Sequence, residues 1–125
     1  MEALLNDEVK IDGFICPGHV STITGSNIYD FIPEKYKIAC VVAGFEPTDL
    51  MQSIEMLASQ IANNKQKVEI QYSRSVTKEG NKKAQAIMNE VFETRKDLWR
   101  GIGEIPNSGW KLKEKYKDFT AELVF

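Results

Sequence analysis

Four short clusters carry the residue types that do chemistry. The first is Cys16-Pro17-Gly18-His19-Val20-Ser21. Gly18 lets backbone approach a ligand closely, and His19 and Ser21 stand near the start of the next helix, a setting that suits an anion or a polar substrate group. His19 is the chain's single histidine and its one side chain with an ordinary pKa near neutrality. A lone histidine is more often a hydrogen-bonded structural residue, so both readings stand. The second cluster is Gly44-Phe45-Glu46-Pro47. Glu46 would open the following helix, where the macrodipole favours a carboxylate, and it could equally orient a ligand or act as a base. Phe45 either covers the core or recognises a ligand. The third is Tyr72-Ser73-Arg74, followed by Glu79-Gly80-Asn81. Arg74 would bind a carboxylate or pair with Glu46 or Glu79. The fourth, Trp99-Arg100-Gly101 with Gly103 beyond it, has the aromatic-plus-arginine composition of interface hot spots, although Trp99 would also plug a small core.

Familiar catalytic and metal signatures are absent. The sequence holds no GxGxxG, GxxxxGK[ST] or HExxH, no GxSxG elbow and no metal-spaced cysteine cluster. Cys16 lies three residues before His19, but a strand entering a Pro-Gly turn does not force those side chains together, so the pair is a weak nucleophile candidate. No catalytic residue and no metal ligand is assigned.

The elements that must position these clusters follow from periodicity. Ile11–Cys16 and Lys37–Ala43 are short apolar runs ended by Pro-Gly and Gly, and Lys67–Tyr72 alternates polar with apolar residues. They predict two buried strands and one nearer an edge. Leu50, Ile54, Leu57 and Ile61 form one stripe of an amphipathic helix with Thr48 as its N-cap and Asn63-Asn64 as its end. Ala84, Ile87, Met88, Val91 and Phe92 form another, capped by Asn81. Strands alternating with helices predict an α/β fold, a small parallel three-to-four-stranded sheet built from βαβ units, in which ligands gather at the strands' carboxyl ends. Arg95–Gly109, with its glycines and Pro106, reads as loop. Leu112, Tyr116 and Phe119 suggest a short helix with a solvated lysine face.

At 125 residues the chain suits a single domain. Its 16 basic and 18 acidic residues give no broad basic field, which argues against nucleic acid and anionic membrane as partners. The longest apolar run, Ile38–Phe45, is eight residues, too short to cross a bilayer. No signal segment opens the chain. Cys16 and Cys40 sit in strand-like runs, which favours reduced thiols and a cytoplasmic setting.

Together the clusters are more specific than any one alone. Gly13-Phe14-Ile15-Cys16-Pro17-Gly18-His19-Val20-Ser21, Val41-Val42-Ala43-Gly44-Phe45-Glu46-Pro47-Thr48-Asp49-Leu50, Gln71-Tyr72-Ser73-Arg74 with Glu79-Gly80-Asn81, and Trp99-Arg100-Gly101-Ile102-Gly103 with Ser108-Gly109 resemble the HypD family of [NiFe]-hydrogenase maturation proteins in order and spacing. The resemblance runs from Ile11 to Phe125. It implies a cytoplasmic α/β scaffold on which, with the small partner HypC, the hydrogenase iron receives its cyanide and carbonyl ligands to become an Fe(CN)2CO unit. HypE supplies the cyanide, and the family binds a [4Fe-4S] cluster.

The departures are equally informative. The family's Cys-Gly-Gly-His, Gly-Pro-Gly-Cys-Pro-x-Cys and Gly-Phe-Glu-Thr-Thr motifs do not occur here, nor do its cluster-binding cysteines. Ile70 stands where the family pattern has an asparagine. The resemblance therefore implies a middle-to-late segment of a longer protein, with no cofactor of its own; iron and cluster would lie outside it, and the segment would not be catalytic alone. It further implies that Gly18, His19 and Ser21 form a polar wall of the assembly cleft beside the Gly44-Phe45-Glu46 turn. Glu46 would orient neighbouring loops or a ligand. Arg74, Trp99 and Arg100 would touch other domains of the parent or its partners. Two rival readings remain: a stand-alone small α/β enzyme using His19 and Glu46 as an acid/base pair on an anionic substrate, and an interaction module whose exposed sheet edge docks a partner or a second copy.

Overall fold

The computed structural model describes residues 10–121. The chain divides into two compact units, residues 1–82 and 83–125.

In the first unit, strand β1 (Gly13–Pro17) runs directly into the short helix α1 (Gly18–Thr24). A 3₁₀ turn (Asn27–Tyr29) and a π-helical turn (Ile32–Tyr36) lead to strand β2 (Ala39–Ala43). Helix α2 (Pro47–Ala62) then returns the chain to strand β3 (Val68–Ile70). The three strands form a parallel sheet in the order β1-β2-β3, with Gly13 opposite Ala39, Pro17 opposite Ala43 and Val42 opposite Ile70. The fold is α/β, as the alternation of strand and helix patterns predicts.

Side chains alternate across the strands. Cys16, Cys40 and Val42 point to one face, where they pack with Tyr29, Ile32 and Val76 as the core. On the opposite face α2 packs against β2 and the start of β1. β2 is wholly buried, as its unbroken apolar run requires of a strand covered on both faces. α1 is fixed beside the loop after β3 by two glycines. Gly25 and Gly80 both have positive φ, 79° and 67°, and a Cβ on either would overlap the other's backbone neighbourhood. That close crossing allows Ser26 N–H to donate to Thr77 O and Asn81 N–H to Ile23 O.

α2 departs from expectation in two ways. Its N-cap is Glu46 rather than Thr48, with Asp49 completing a capping box. Its buried residues are Asp49, Ser53 and Gln60, three members of one helical row. Leu50, Ile54 and Ile61 of the apolar stripe are instead exposed. The buried polar groups are satisfied. Ser53 Oγ donates to Asp49 O at 2.8 Å, Gln60 Nε2 donates to Glu69 Oε2 at 2.7 Å, and Lys67 N–H donates to Gln60 Oε1 at 3.0 Å. A small serine at the contact lets the helix lie close on the Ala-Cys-Val-Val-Ala strand.

In the second unit, helix α3 (Lys82–Val91) leads into strand β4 (Phe92–Trp99), which pairs antiparallel with β5 (Gly103–Leu112). A 3₁₀ segment (Glu114–Phe119) follows. The stretch expected to be loop is thus a hairpin. Its glycines and proline mark the hairpin's irregular points: Gly101 and Gly103 turn its tip at φ 80° and 98°. Pro106 and Asn107 lie in a bulge, since Arg95 faces Gly109 while Asp97 faces Ile105. The helix expected around Leu112, Tyr116 and Phe119 is shorter, because Leu112 still belongs to β5 and Phe119 is exposed.

Candidate functional site

The carboxyl ends of β1, β2 and β3 bring three of the four sequence clusters into one linked set of side chains. The His19 ring lies on Phe45, with centroids 4.1 Å apart and planes tilted by 42°. Phe45 meets the Tyr72 ring edge-on at 6.2 Å. The Arg74 guanidinium lies over the other part of that path, 4.4 Å from the Tyr72 centroid. Arg74 then grips Asp49 bidentately, Nη1 to Oδ1 at 2.8 Å and Nη2 to Oδ2 at 2.5 Å. Gln71 Nε2 donates to Asp49 Oδ1 at 2.9 Å, while Gln71 Oε1 accepts Gly44 N–H at 3.0 Å.

Two glycines make this closure possible. At Gly18 a Cβ would overlap Ala43 O and stand 2.8 Å from Tyr72 Cδ1. At Gly44 it would overlap the Asp49 carboxylate and stand 2.9 Å from Tyr72 Cδ2. Both glycines serve as gaps into which a neighbouring polar or aromatic side chain fits.

Electrostatics separates an inner from an outer part. Asp49 is 4% exposed and its carboxyl is held well below the usual carboxylate range, first by the hydrogen bonds from Arg74 and then by Gln71. The same contact pushes Arg74 upward. Asp49 also accepts Glu46 N–H at 3.3 Å, so one carboxylate ties the α2 N-terminus to the β3 exit. The outer part is open to solvent: Phe45 is 54% exposed, the Arg74 side chain 51%, and His19 is exposed. Among the described residues no hydrogen bond engages the His19 imidazole, whose ring packs on Phe45 while the residue as a whole is exposed. The arrangement can present an imidazole, an aromatic edge and the outward N–H groups of an arginine to a polar or anionic group.

The other candidates fall elsewhere. Ser21 is enclosed, donating to Pro17 O at 2.7 Å and meeting Tyr29 Oη at 3.1 Å, so it anchors α1 and is not presented to the site. Glu46 caps α2 and is not joined to His19 or Arg74 by any hydrogen bond or ion pair among the described residues. Arg74's carboxylate is Asp49 and neither Glu46 nor Glu79. Cys16 is buried against Cys40 on the core face, its thiol pushed up by that contact and by burial, so it does not form a dyad with the exposed His19. In the second unit, Trp99 Nε1–H donates to Ser108 Oγ at 2.8 Å across the hairpin and Arg100 is exposed at the turn.

Asp49, Gln71 and Tyr72 are the residues to which sequence reasoning assigned no role. The signal for Asp49 was available: an acid three residues after Glu46 is the spacing of a capping box. Tyr72 stands in the third cluster and Gln71 in the motif that carries the resemblance, but neither residue type points by itself to this role.

Fold and site define a class: a parallel α/β unit that presents a histidine–aromatic–arginine surface at the carboxyl end of its sheet. The chain matches the family described as HypD: Hydrogenase formation hypA family over residues 1–125. It is 53% identical over 119 residues to a hydrogenase expression/formation protein of Methanocaldococcus jannaschii, covering 95% of this chain and 33% of that protein. Against hydrogenase maturation factor HypD1 of Bradyrhizobium diazoefficiens identity is 51% over 118 residues, 94% of this chain and 31% of the relative. Against HypD of Rhodobacter capsulatus it is 46% over 127 residues, 100% of this chain and 34% of the relative. The chain belongs to the HypD family. It spans about a third of the length of the curated relatives it matches. Among the described residues no helix is long and apolar enough to cross a membrane.

Proposed function

We propose that this chain forms one wall of the site at which a longer cytoplasmic HypD polypeptide, with HypC as its small partner and HypE as the source of cyanide, assembles the Fe(CN)2CO unit of a [NiFe]-hydrogenase. The observation that carries the reading is the convergence of His19, Phe45, Tyr72 and Arg74 at the carboxyl ends of all three parallel strands, in a chain of this family. Open parallel sheets bind their ligands there. The iron and its diatomic ligands are cargo of the reaction. This wall would meet them, or the partner that carries them, through the His19 imidazole and the outward N–H groups of Arg74, while Asp49 holds the arginine in place.

A resident [4Fe-4S] cluster requires about four thiolates. This chain has two cysteines, both buried in the sheet core. Its residues do not fit such a cluster, which on this reading belongs to the remainder of the longer polypeptide, as do the family's other cysteine motifs.

The test is His19→Ala in the full-length polypeptide, assayed by hydrogenase activity in cells after checking that the variant accumulates normally. Loss of maturation is expected, since the exposed imidazole makes no structural hydrogen bond whose removal would unfold the unit. Full hydrogenase activity in that variant would sink the wall reading.

A further inference from the structure

Helix α2 carries two rows with the same i, i+4, i+7, i+11 spacing, one residue apart and so about 100° apart around the axis. Of the row Asp49, Ser53, Met56 and Gln60, the residues Asp49, Ser53 and Gln60 are buried. Along the Leu50, Ile54, Leu57 and Ile61 row, Leu57 reaches β1 at Gly13, while Leu50, Ile54 and Ile61 keep 40–51% of their surface exposed, with Met51 beside them at 67%. No charged side chain interrupts the arc from Leu57 round to Met51. From Leu50 to Ile61 that is an apolar strip about 17 Å long on a 16-residue helix. The strip continues onto the sheet. Gly13 faces Leu57, and Ile15, two residues on and therefore on the same face of β1, is 47% exposed.

Sheet geometry says what such a strip is for. Parallel sheets are covered on both faces. Strands lie about 4.8 Å apart and helices pack about 8–10 Å apart, so one helix covers about two strands. α2 sits over β2 and the start of β1, which leaves the rest of β1 bare beside an apolar helix flank. A second helix laid parallel or antiparallel to α2, over β1, would fill that space.

We propose that the Ile15–Leu50–Ile54–Ile61 strip seats one further amphipathic helix of the same polypeptide, with an uncharged aliphatic face. The inference rests on the reading that the natural chain is longer than this segment, as its relatives are. Size selects this occupant over a second copy. The exposed part of the strip amounts to roughly 500 Å², against about 800 Å² on each partner of a stable dimer. A tethered helix does not need that area, because its effective concentration is on the order of millimolar.

The experiment replaces Ile54, and separately the more exposed Met51, with the photo-cross-linker p-benzoylphenylalanine in the full-length polypeptide encoded at this locus. After irradiation, monomeric product is digested and the cross-linked peptides are mapped by mass spectrometry. The expected result is an intramolecular cross-link, from either position, to a helical segment outside residues 1–125. A covalent dimer linked through α2 would make the strip a seam between copies, and no cross-link from either position would leave it bare; each overturns the proposal. A reading frame confined to these 125 residues would remove the longer-chain reading itself, an outcome visible before any cross-link and so distinguishable from failure of the docking argument.

Discussion

Replacing Gly44 with alanine tests the tightest packing in the candidate site. The new methyl group would overlap the Asp49 carboxylate oxygen, stand 2.5 Å from Asp49 Cγ and lie 2.9 Å from Tyr72 Cδ2. None of these neighbours is free to yield. Asp49 is held by Arg74, Gln71 and the Glu46 amide, and Tyr72 sits between Phe45 and Arg74. Overpacking where neighbours cannot move costs about 2–3 kcal/mol. For a unit of this size that lowers the melting temperature by roughly 10–20 °C. Circular dichroism would follow the melt, and hydrogen-exchange mass spectrometry would show the loss in peptides spanning β2 and α2. Two comparisons make the cause specific. Gly101→Ala, at a positive φ but with no heavy atom within 4 Å of its Cβ, should cost only the left-handed strain of about 1 kcal/mol. Asp49→Ala should open the space that Gly44→Ala needs, so the double variant should recover about 1 kcal/mol or more relative to the sum of the singles. A Gly44→Ala protein within about 0.5 kcal/mol of the parent, or strict additivity with Asp49→Ala, would refute the steric account.

Two further outcomes follow from the same geometry. Arg74 and Gln71 hold the Asp49 carboxyl below its unfolded value, so the unfolded chain binds the extra proton: this contribution to stability is complete above about pH 5 and drains away as pH falls below about 4. Asp49→Asn should therefore flatten the acid limb of the urea midpoint against pH, and an unchanged limb would show that the pair does not govern it. Cys16 and Cys40 are both buried, so the native protein should leave an aromatic disulfide reagent unreacted until guanidinium exposes both thiols; prompt reaction of the folded chain would contradict their placement.

Legibility in the sequence varied with what each signal measures. β1 and β2 were readable because a strand buried on both faces must be apolar throughout, and Gly or Pro had to end it. The clustering of His19, Phe45 and Arg74 is readable because parallel strands direct their loops to one edge. The roles of Ser21 and Glu46 are less legible, because a polar residue beside a turn looks the same whether its side chain serves a ligand or the backbone. Ser21 turns inward to Pro17 and Tyr29, and Glu46 caps its own helix. The β4–β5 hairpin was unreadable for a related reason. Glycine and proline mark backbone irregularity, and irregularity occurs in hairpin tips and bulges as well as in loops.

The most instructive departure is α2, because its periodicity was right and its face was wrong. A stripe at i, i+4, i+7, i+11 establishes a helix whichever row meets the core. Hydrophobicity then selects Leu50, Ile54, Leu57 and Ile61 as the buried row, and for a complete sheet that selection is sound. Here the neighbouring row, with Ser53 at its centre and Asp49 and Gln60 at its ends, meets β2 instead. Each end has a reason to be polar: Asp49 must bind Arg74 and Gln71 at the site edge, and Gln60 must satisfy the amide of Lys67 before β3. A helix that spends one face on positioning a site and keeps a second, fully apolar face for packing is expected when it lies between two neighbours. On the proposal of a further helix over β1, the sequence pattern and the structure agree: the polar row positions the site and the apolar row packs.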